Sequence, residues 1–291
     1  MLGPRSNLAV YLSWGKKGNG KSLDQARQAL MLFDEYRRTE KRWPGLPIRA
    51  VFSNQKMSLA IEEKEIPAGH LYYWSNAKQL RWCPRLEVDG KCFRSCDDLK
   101  CTKRDEEGHT VHYKHPVHDM DIMHDEIGKD LPAGSWTDTP KWFKQIFSHL
   151  RKRGNRYYAN TQVFEDIDIS FRRQIDFAYQ LTKSFGSGDI TATRPPPKAI
   201  WGLIQKREFD PMMLEWERDP EKRERKREGS GWKFPTLIWI SRKLVSVYDT
   251  KDELPPYKAD TLEHVDMWCE DDDCEKHGRN KGKPRTEHFK I

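Results

Sequence analysis

Apolar residues in this chain recur at two periods, and the switches between them lay out an alternation of strands and helices. Leu8, Ala9, Val10, Tyr11 and Leu12 form a short apolar run that reads as a buried strand. Leu23, Ala26, Ala29, Leu30 and Phe33 then return at helical spacing and predict a helix that stops before Trp43-Pro44-Gly45. Residues 48–54 are β-rich, end on a polar side chain and suit a second parallel strand. Val117, Met120, Ile122 and Met123 make a weaker strand that terminates in Asp125-Glu126. Trp142, Phe143, Ile146, Phe147 and Leu150 predict a helix over about residues 139–152, with Gly154 as its C-cap. Residues 156–162 and 176–182 read as further strands, and residues 199–206 and 237–247 as β-rich segments. The expected fold class is α/β, a mostly parallel sheet flanked by helices with a β-rich C-terminal part.

Two stretches interrupt that rhythm. Residues 78–116 carry many charges and little apolar periodicity, so they read as an insertion between two parts of one core, 1–77 and 117–250. Residues 251–291 form a charged tail. Each stretch holds candidate metal ligands. Cys83, Cys92, Cys96 and Cys101 could close a structural Zn²⁺ site in an insertion too poor in apolar residues to build its own core. Their spacing is not that of paired C-x₂-C knuckles, so free thiols are the competing expectation. Cys269, Cys274, His277 and His288 make a second candidate set amid basic residues. His109, His112, His115 and His118 read as surface residues, and the charge run 215–228 as a solvated face.

The strongest chemical signal lies between the first strand and the first helix. Gly15-Lys16-Lys17-Gly18-Asn19-Gly20-Lys21-Ser22 fits G-x-x-x-x-G-K-[ST] in the strand–turn–helix setting that gives this motif its meaning. Its glycines allow backbone N–H groups to converge on phosphates, and the helix N-terminus adds a positive dipole end. Lys21 is expected on the β- and γ-phosphates of ATP and Ser22 on Mg²⁺. Hydrolysis also needs a carboxylate on the metal side and a group that polarises water. Asp125 and Glu126, at a later strand end, are expected in those two roles. Gln162, beside Thr161 at the next strand end, is a candidate for contacting the γ-phosphate or the water. Arg172 and Arg173 are candidates for supplying charge to a neighbouring subunit's transition state, and the basic cluster Arg151, Lys152 and Arg153 is an alternative source.

Charge and composition narrow the partners. The net charge of +7 and the pI near 9.0 fit a polyanion such as nucleic acid. No run approaches the roughly 18 apolar residues of a membrane helix, and residues 1–7 lack a signal-peptide core, so a cytoplasmic protein is expected.

These pieces, in this order, resemble the Zot-like (zonular occlusion toxin) ATPases of the FtsK–HerA group. The resemblance rests on the loop up to Ser22, residues 49–54 ending in Asn54, Asp125-Glu126, and the basic stretch 148–155 followed by a strand and Thr161-Gln162. A weaker likeness covers residues 244–250. It implies a P-loop ATPase that moves DNA as a homo-oligomeric ring, with an arginine acting across the interface and a capsid or other assembly protein as partner. Family members of filamentous phages usually carry a transmembrane helix after the ATPase domain. This chain lacks such a segment, and the Cys-bearing insertion is foreign to the common pattern, which favours a genome-packaging or plasmid-borne DNA motor. Two other readings remain: a nucleoside or small-molecule kinase using the same loop, and a zinc-stabilised DNA-binding adaptor with little turnover. The N-K-x-D guanine-reading motif of regulatory GTPases is missing.

Overall fold

In the computed structural model, residues 9–44, 49–57, 71–81, 83–84, 102–104, 110–113, 116–186, 202–211, 235–240, 244 and 267–269 are described, with backbone alone for 102–104, 110–113, 184–186 and 267–269. β1 (Val10–Trp14) leads through the glycine-rich loop into α1 (Lys21–Arg42). β2 (Ala50–Ser53) and β3 (Leu71–Tyr73) follow, then β4 (Thr102–Arg104), β5 (Thr110–Tyr113) and β6 (Met120–His124). α2 (Lys141–Ser148), β7 (Arg156–Thr161), the single-turn α3 (Ile169–Arg172), β8 (Phe177–Gly186), β9 (Gly202–Phe209), β10 (Thr236–Ile240) and β11 (Met267–Cys269) complete the order.

Eight strands form one sheet in the order β10-β9-β8-β1-β7-β6-β2-β3. From β8 to β3 every pairing is parallel, while β9 is antiparallel to both of its neighbours. The expected mostly parallel α/β sheet is therefore present, and the β-rich C-terminal segments extend its edge. Period-two alternation sorts each strand's side chains onto two faces. Val10, Leu12, Phe52, Ile122 and Tyr157 pack with Phe143, Ile146 and Phe147 of α2. Val51, Met123, Leu181, Ile204 and Ile238 pack with Leu23, Ala26, Ala29, Leu32 and Phe33 of α1. The helical spacing read from the sequence is thus the buried stripe of α1.

Several boundaries differ from the sequence expectation. The strand expected over 117–126 is only Met120–His124, because Asp119 adopts φ 50 and gives its N–H to the Arg153 carbonyl. The helix expected to reach residue 152 stops at Ser148, and turns over 149–154 bring the chain back to start β7. β3, unforeseen in the sequence, adds a parallel strand beyond β2. Leu80 and Cys83 belong to the main core, although the insertion was expected to begin at residue 78. The insertion contributes β4 and β5 to a separate three-stranded antiparallel sheet in which β11, from the tail, pairs with β5.

A buried ion cluster ties the sheet together at the edge where the parallel strands begin. Asp121 of β6 is fully buried and accepts hydrogen bonds from Tyr36 of α1, Arg49 before β2 and Arg156 of β7. Arg156 also reaches Glu35 at 3.2 Å. Burial alone would raise the Asp121 carboxyl, but Arg49 and Arg156 hold it below its ordinary 3.8. Its contribution to stability is therefore complete above pH 3.8 and is lost as pH falls through the lower folded value. Asp121→Ala strands a buried guanidinium and should cost about 3–5 kcal/mol in urea unfolding. Asp121→Leu combined with Arg156→Met should recover much of that loss and lack the acid transition; equal loss in the single and double variants would contradict the ion-pair account.

Candidate nucleotide site

Parallel strands place all their C-terminal ends on one edge, and the predicted chemistry gathers there. β7 lies between β1 and β6, so Thr161-Gln162 falls between the loop after β1 and the acidic pair after β6. Gly15 gives its N–H to the Thr161 carbonyl at 3.3 Å. A Cβ on Gly15 would stand 2.5 Å from the Leu181 carbonyl of β8, so only glycine fits that approach. Gly20 caps α1 with φ 81, and the side chain of Ile204 occupies the space its Cβ would take. Asn19 donates its amide to the Leu181 carbonyl at 2.9 Å, while Lys16, Lys17 and Gly18 stay exposed. The loop is thus braced from below by β8 and β9 and open above.

Lys21 is buried, with Nζ donating to the carbonyls of Gly15 at 2.8 Å and Lys16 at 3.4 Å. Burial lowers its pKa below 10.5, against the pull of Glu126 and Asp125. Ser22 Oγ stands 3.4 Å from both carboxylate oxygens of Asp125. A hydroxyl and a carboxylate are hard oxygen donors that suit Mg²⁺ shared with a triphosphate, and the cradle before them fits phosphate. Bound there, Mg²⁺ would neutralise charge building on the triphosphate. Among the described residues there is no cluster of three or more His, Cys, Asp or Glu side chains suited to a metal.

The acidic turn is held from both sides by asparagines that the sequence did not single out as site residues. Asn54, at the end of β2, accepts from the Asp125 N–H at 2.7 Å and donates to its carbonyl at 3.0 Å. Asn160 of β7 accepts from the Glu126 N–H at 2.9 Å and donates to Gln25 of α1 at 3.2 Å. Gln55 reaches the Ser22 carbonyl at 3.2 Å. Gln162 Nε2 donates to Glu126 Oε1 at 3.2 Å, so two candidates read separately from the sequence are in contact. A polar residue ending each of β2 and β7 was the available signal, but only the strand order reveals its partner.

The candidate arginines lie on the segments that flank β7. α3 carries the chain away from the end of β7 toward the start of β8, where Asp176 accepts from Arg151 at 2.9 Å and from the Val10 N–H. Arg172 lies over the Phe164 ring at 5.4 Å, and Arg173 is exposed. Arg151 and Lys152 are exposed beside the start of β7, about five strand residues, or roughly 17 Å, from the phosphate loop.

Cys83, a candidate zinc ligand, sits in the main core beside His118. His118, expected at the surface, is buried too. Burial disfavours its charge, yet hydrogen bonds to Asp119 and Cys83 raise its pKa to about 9. Cys92, Cys96, Cys101, Cys274, His277 and His288 lie outside the described residues, and Cys269 is placed by backbone alone.

No family model matches the sequence, and no curated protein matches it. Among solved structures the chain is similar to the N-terminal domain of zonular occludens toxin from Neisseria meningitidis, at 18% identity and TM-score 0.44, over 83% of this chain and 98% of that one. It is also similar to the genome packaging NTPase B204 of Sulfolobus turreted icosahedral virus 2 in complex with ATP-gammaS, at 10% identity and TM-score 0.36, over 71% and 94%. A third is the flagellar accessory protein FlaH of Methanocaldococcus jannaschii, at 13% identity and TM-score 0.33, over 70% and 78%. At such scores the fold assignment rests on the strand order and loop geometry described above.

Burial, reinforced by the neighbouring Glu126, raises the Asp125 carboxyl above 3.8 despite the Asn160 hydrogen bond and the charge of Lys21. A raised folded value favours folding in acid and withdraws that support as pH rises through it. Asp125→Asn should therefore melt a few degrees higher than the parent at pH 7 without Mg²⁺, with the gap closing toward pH 4, and should lose Mg²⁺-dependent nucleotide affinity. An unchanged or lower melting temperature at pH 7 would refute this trade between stability and binding.

Proposed function

We propose that this protein is a Mg²⁺-dependent P-loop ATPase that couples hydrolysis to movement of DNA, as a genome-packaging or assembly motor. The observation that carries hydrolysis is the Glu126–Gln162 contact at 3.2 Å, one strand away from the phosphate loop. A carboxylate able to accept a water proton, next to an amide able to orient that water, is the arrangement hydrolysis requires. Lys21 binds and neutralises phosphate oxygens, Ser22 and Asp125 hold the metal, and Glu126 takes the proton as water attacks.

Support for DNA comes from the net charge of +7 and from the resemblance of the loop, acidic-pair and Thr161-Gln162 motifs to those of Zot-like ATPases. Arg151, Lys152 and Arg173 are exposed, and the first two precede β7, at the end opposite the phosphate loop. That placement suits contact with a neighbouring subunit in a ring or with the DNA backbone. No helix among the described residues is long and apolar enough to cross a membrane.

The decisive measurement is ATP hydrolysis with and without single- and double-stranded DNA, alongside the mass of the assembly. Hydrolysis stimulated by DNA is expected, with Lys21→Ala abolishing it and Glu126→Gln lowering kcat by about 10²–10⁴-fold while ATP still binds. Tight ATP binding without turnover would instead identify an adaptor, and phosphoryl transfer to an added nucleoside a kinase. Full activity in Glu126→Gln removes the role given to that residue.

A further inference from the structure

Glu126 stands in a backbone conformation that glutamate rarely adopts, with φ 59 and ψ 50. Such a conformation persists only where neighbouring contacts over-determine it. Two of those contacts are made by its own backbone: its N–H donates to Asn160 of β7, and its carbonyl accepts from the Lys129 N–H at 3.0 Å. The third comes from His124, the residue just before the acidic pair. A 3₁₀ turn over Ile127–Lys129 hands the chain to Asp130, whose carboxylate returns to accept from His124 Nε2 at 2.7 Å. The two ends of the segment holding Asp125 and Glu126 are thus joined to each other.

His124 is itself anchored. Its ring is fully buried, lies edge-on to Trp74 with centroids 4.8 Å apart, and meets the Tyr157 hydroxyl through Nδ1 at 2.7 Å. Burial and the charge of Asp130 push the Tyr157 phenol well above its ordinary 10, so it keeps its proton. The hydroxyl then donates to Nδ1, which leaves Nε2–H to donate to Asp130, so both ring nitrogens have a partner. Tyr157 lies on β7, the strand that also supplies Asn160 and, just past its end, Gln162.

We propose that the chain Tyr157–His124–Asp130 is a positioning clamp that holds the 125–129 turn in register with β7 and keeps the Glu126 carboxylate beside Gln162. The inference rests on the reading of Glu126 as the group that polarises water. His124 and Asp130 touch no reacting atom; they act through the backbone of Glu126. Asp130 is the useful probe because its side chain is 38% exposed, and an exposed carboxylate adds little to global stability.

The experiment compares the full chain with Asp130→Ala and Asp130→Asn in steady-state ATP hydrolysis, nucleotide binding and amide hydrogen exchange. Asp130→Ala should lower kcat about tenfold, the order expected for a small misplacement of a catalytic group, with KM and ATP affinity changed less than about twofold. Asp130→Asn retains an acceptor for Nε2–H and should restore most of the rate. Exchange of the amides of residues 126–129 should quicken in Asp130→Ala while those of 120–124 stay protected. Parental kcat in Asp130→Ala, or equal losses of kcat and ATP affinity, would overturn the clamp. A parent chain that binds ATP without hydrolysing it would sink the ATPase reading instead. The exchange data then still decide the clamp, which fails if residues 126–129 exchange as in the parent.

Discussion

The pairing of Asp121 with Arg156 is the interaction on which the placement of the site depends. The two residues are direct partners in the parallel register of β6 and β7, and Asp121 is likewise level with Val51 of β2. A slip of one residue would turn each strand's apolar set toward the wrong face and pull a buried carboxylate from its guanidinium. Four residues on, just past the end of β6, comes Asp125, and the same register sets Asn54 and Asn160 beside the acidic turn. An ion cluster at one edge of the sheet thereby fixes geometry at the other. Its net energetic worth can be small, because desolvation offsets attraction. Its specificity lies in the cost of every other register.

Polar side chains in the middle of this sheet also explain how the loop and the acidic turn act as one body. Gln25 on α1, Asn160 on β7 and Glu126 after β6 form a continuous hydrogen-bonded path from the helix that follows the phosphate loop to the turn. On the other side, Gln55 and Asn54 tie Ser22 and Asp125 to the end of β2. Every link is an amide, a neutral group that both donates and accepts. Charge is thereby reserved for Lys21, Asp125 and Glu126, where a phosphate and a metal would meet it. The strength of such a network depends on its being fully satisfied.

The parts of this arrangement that were legible in the sequence are those encoded over short spans. The glycine loop, the stripe of α1, Asp125-Glu126 and Thr161-Gln162 each declare themselves within a few residues. β6 looked weak as a strand because Asp121 and His124 break its apolar pattern; their partners, Arg156, Tyr157 and Asp130, come from elsewhere in the fold or from the following turn. Cys83 was grouped with later cysteines by spacing alone, whereas its packing places it with Leu80 and Val117 in the core. His118 was misread for the same reason, since nothing local announces that an imidazole is buried between a thiol and a carboxylate.

The small sheet formed by β4, β5 and β11 bears on the order in which the chain is built. β5 meets its partner β11 only across more than 150 residues of intervening chain, with Trp268 opposite His112. During synthesis the ribosome emits β6, α2, β7 and the whole β8–β9 edge before that partner exists. Closing so long a loop is entropically costly until the intervening chain has compacted. Compaction of the intervening large sheet would shorten the distance those two segments must close. A segment translated in the first half of the protein is left waiting for nearly the last strand to complete it.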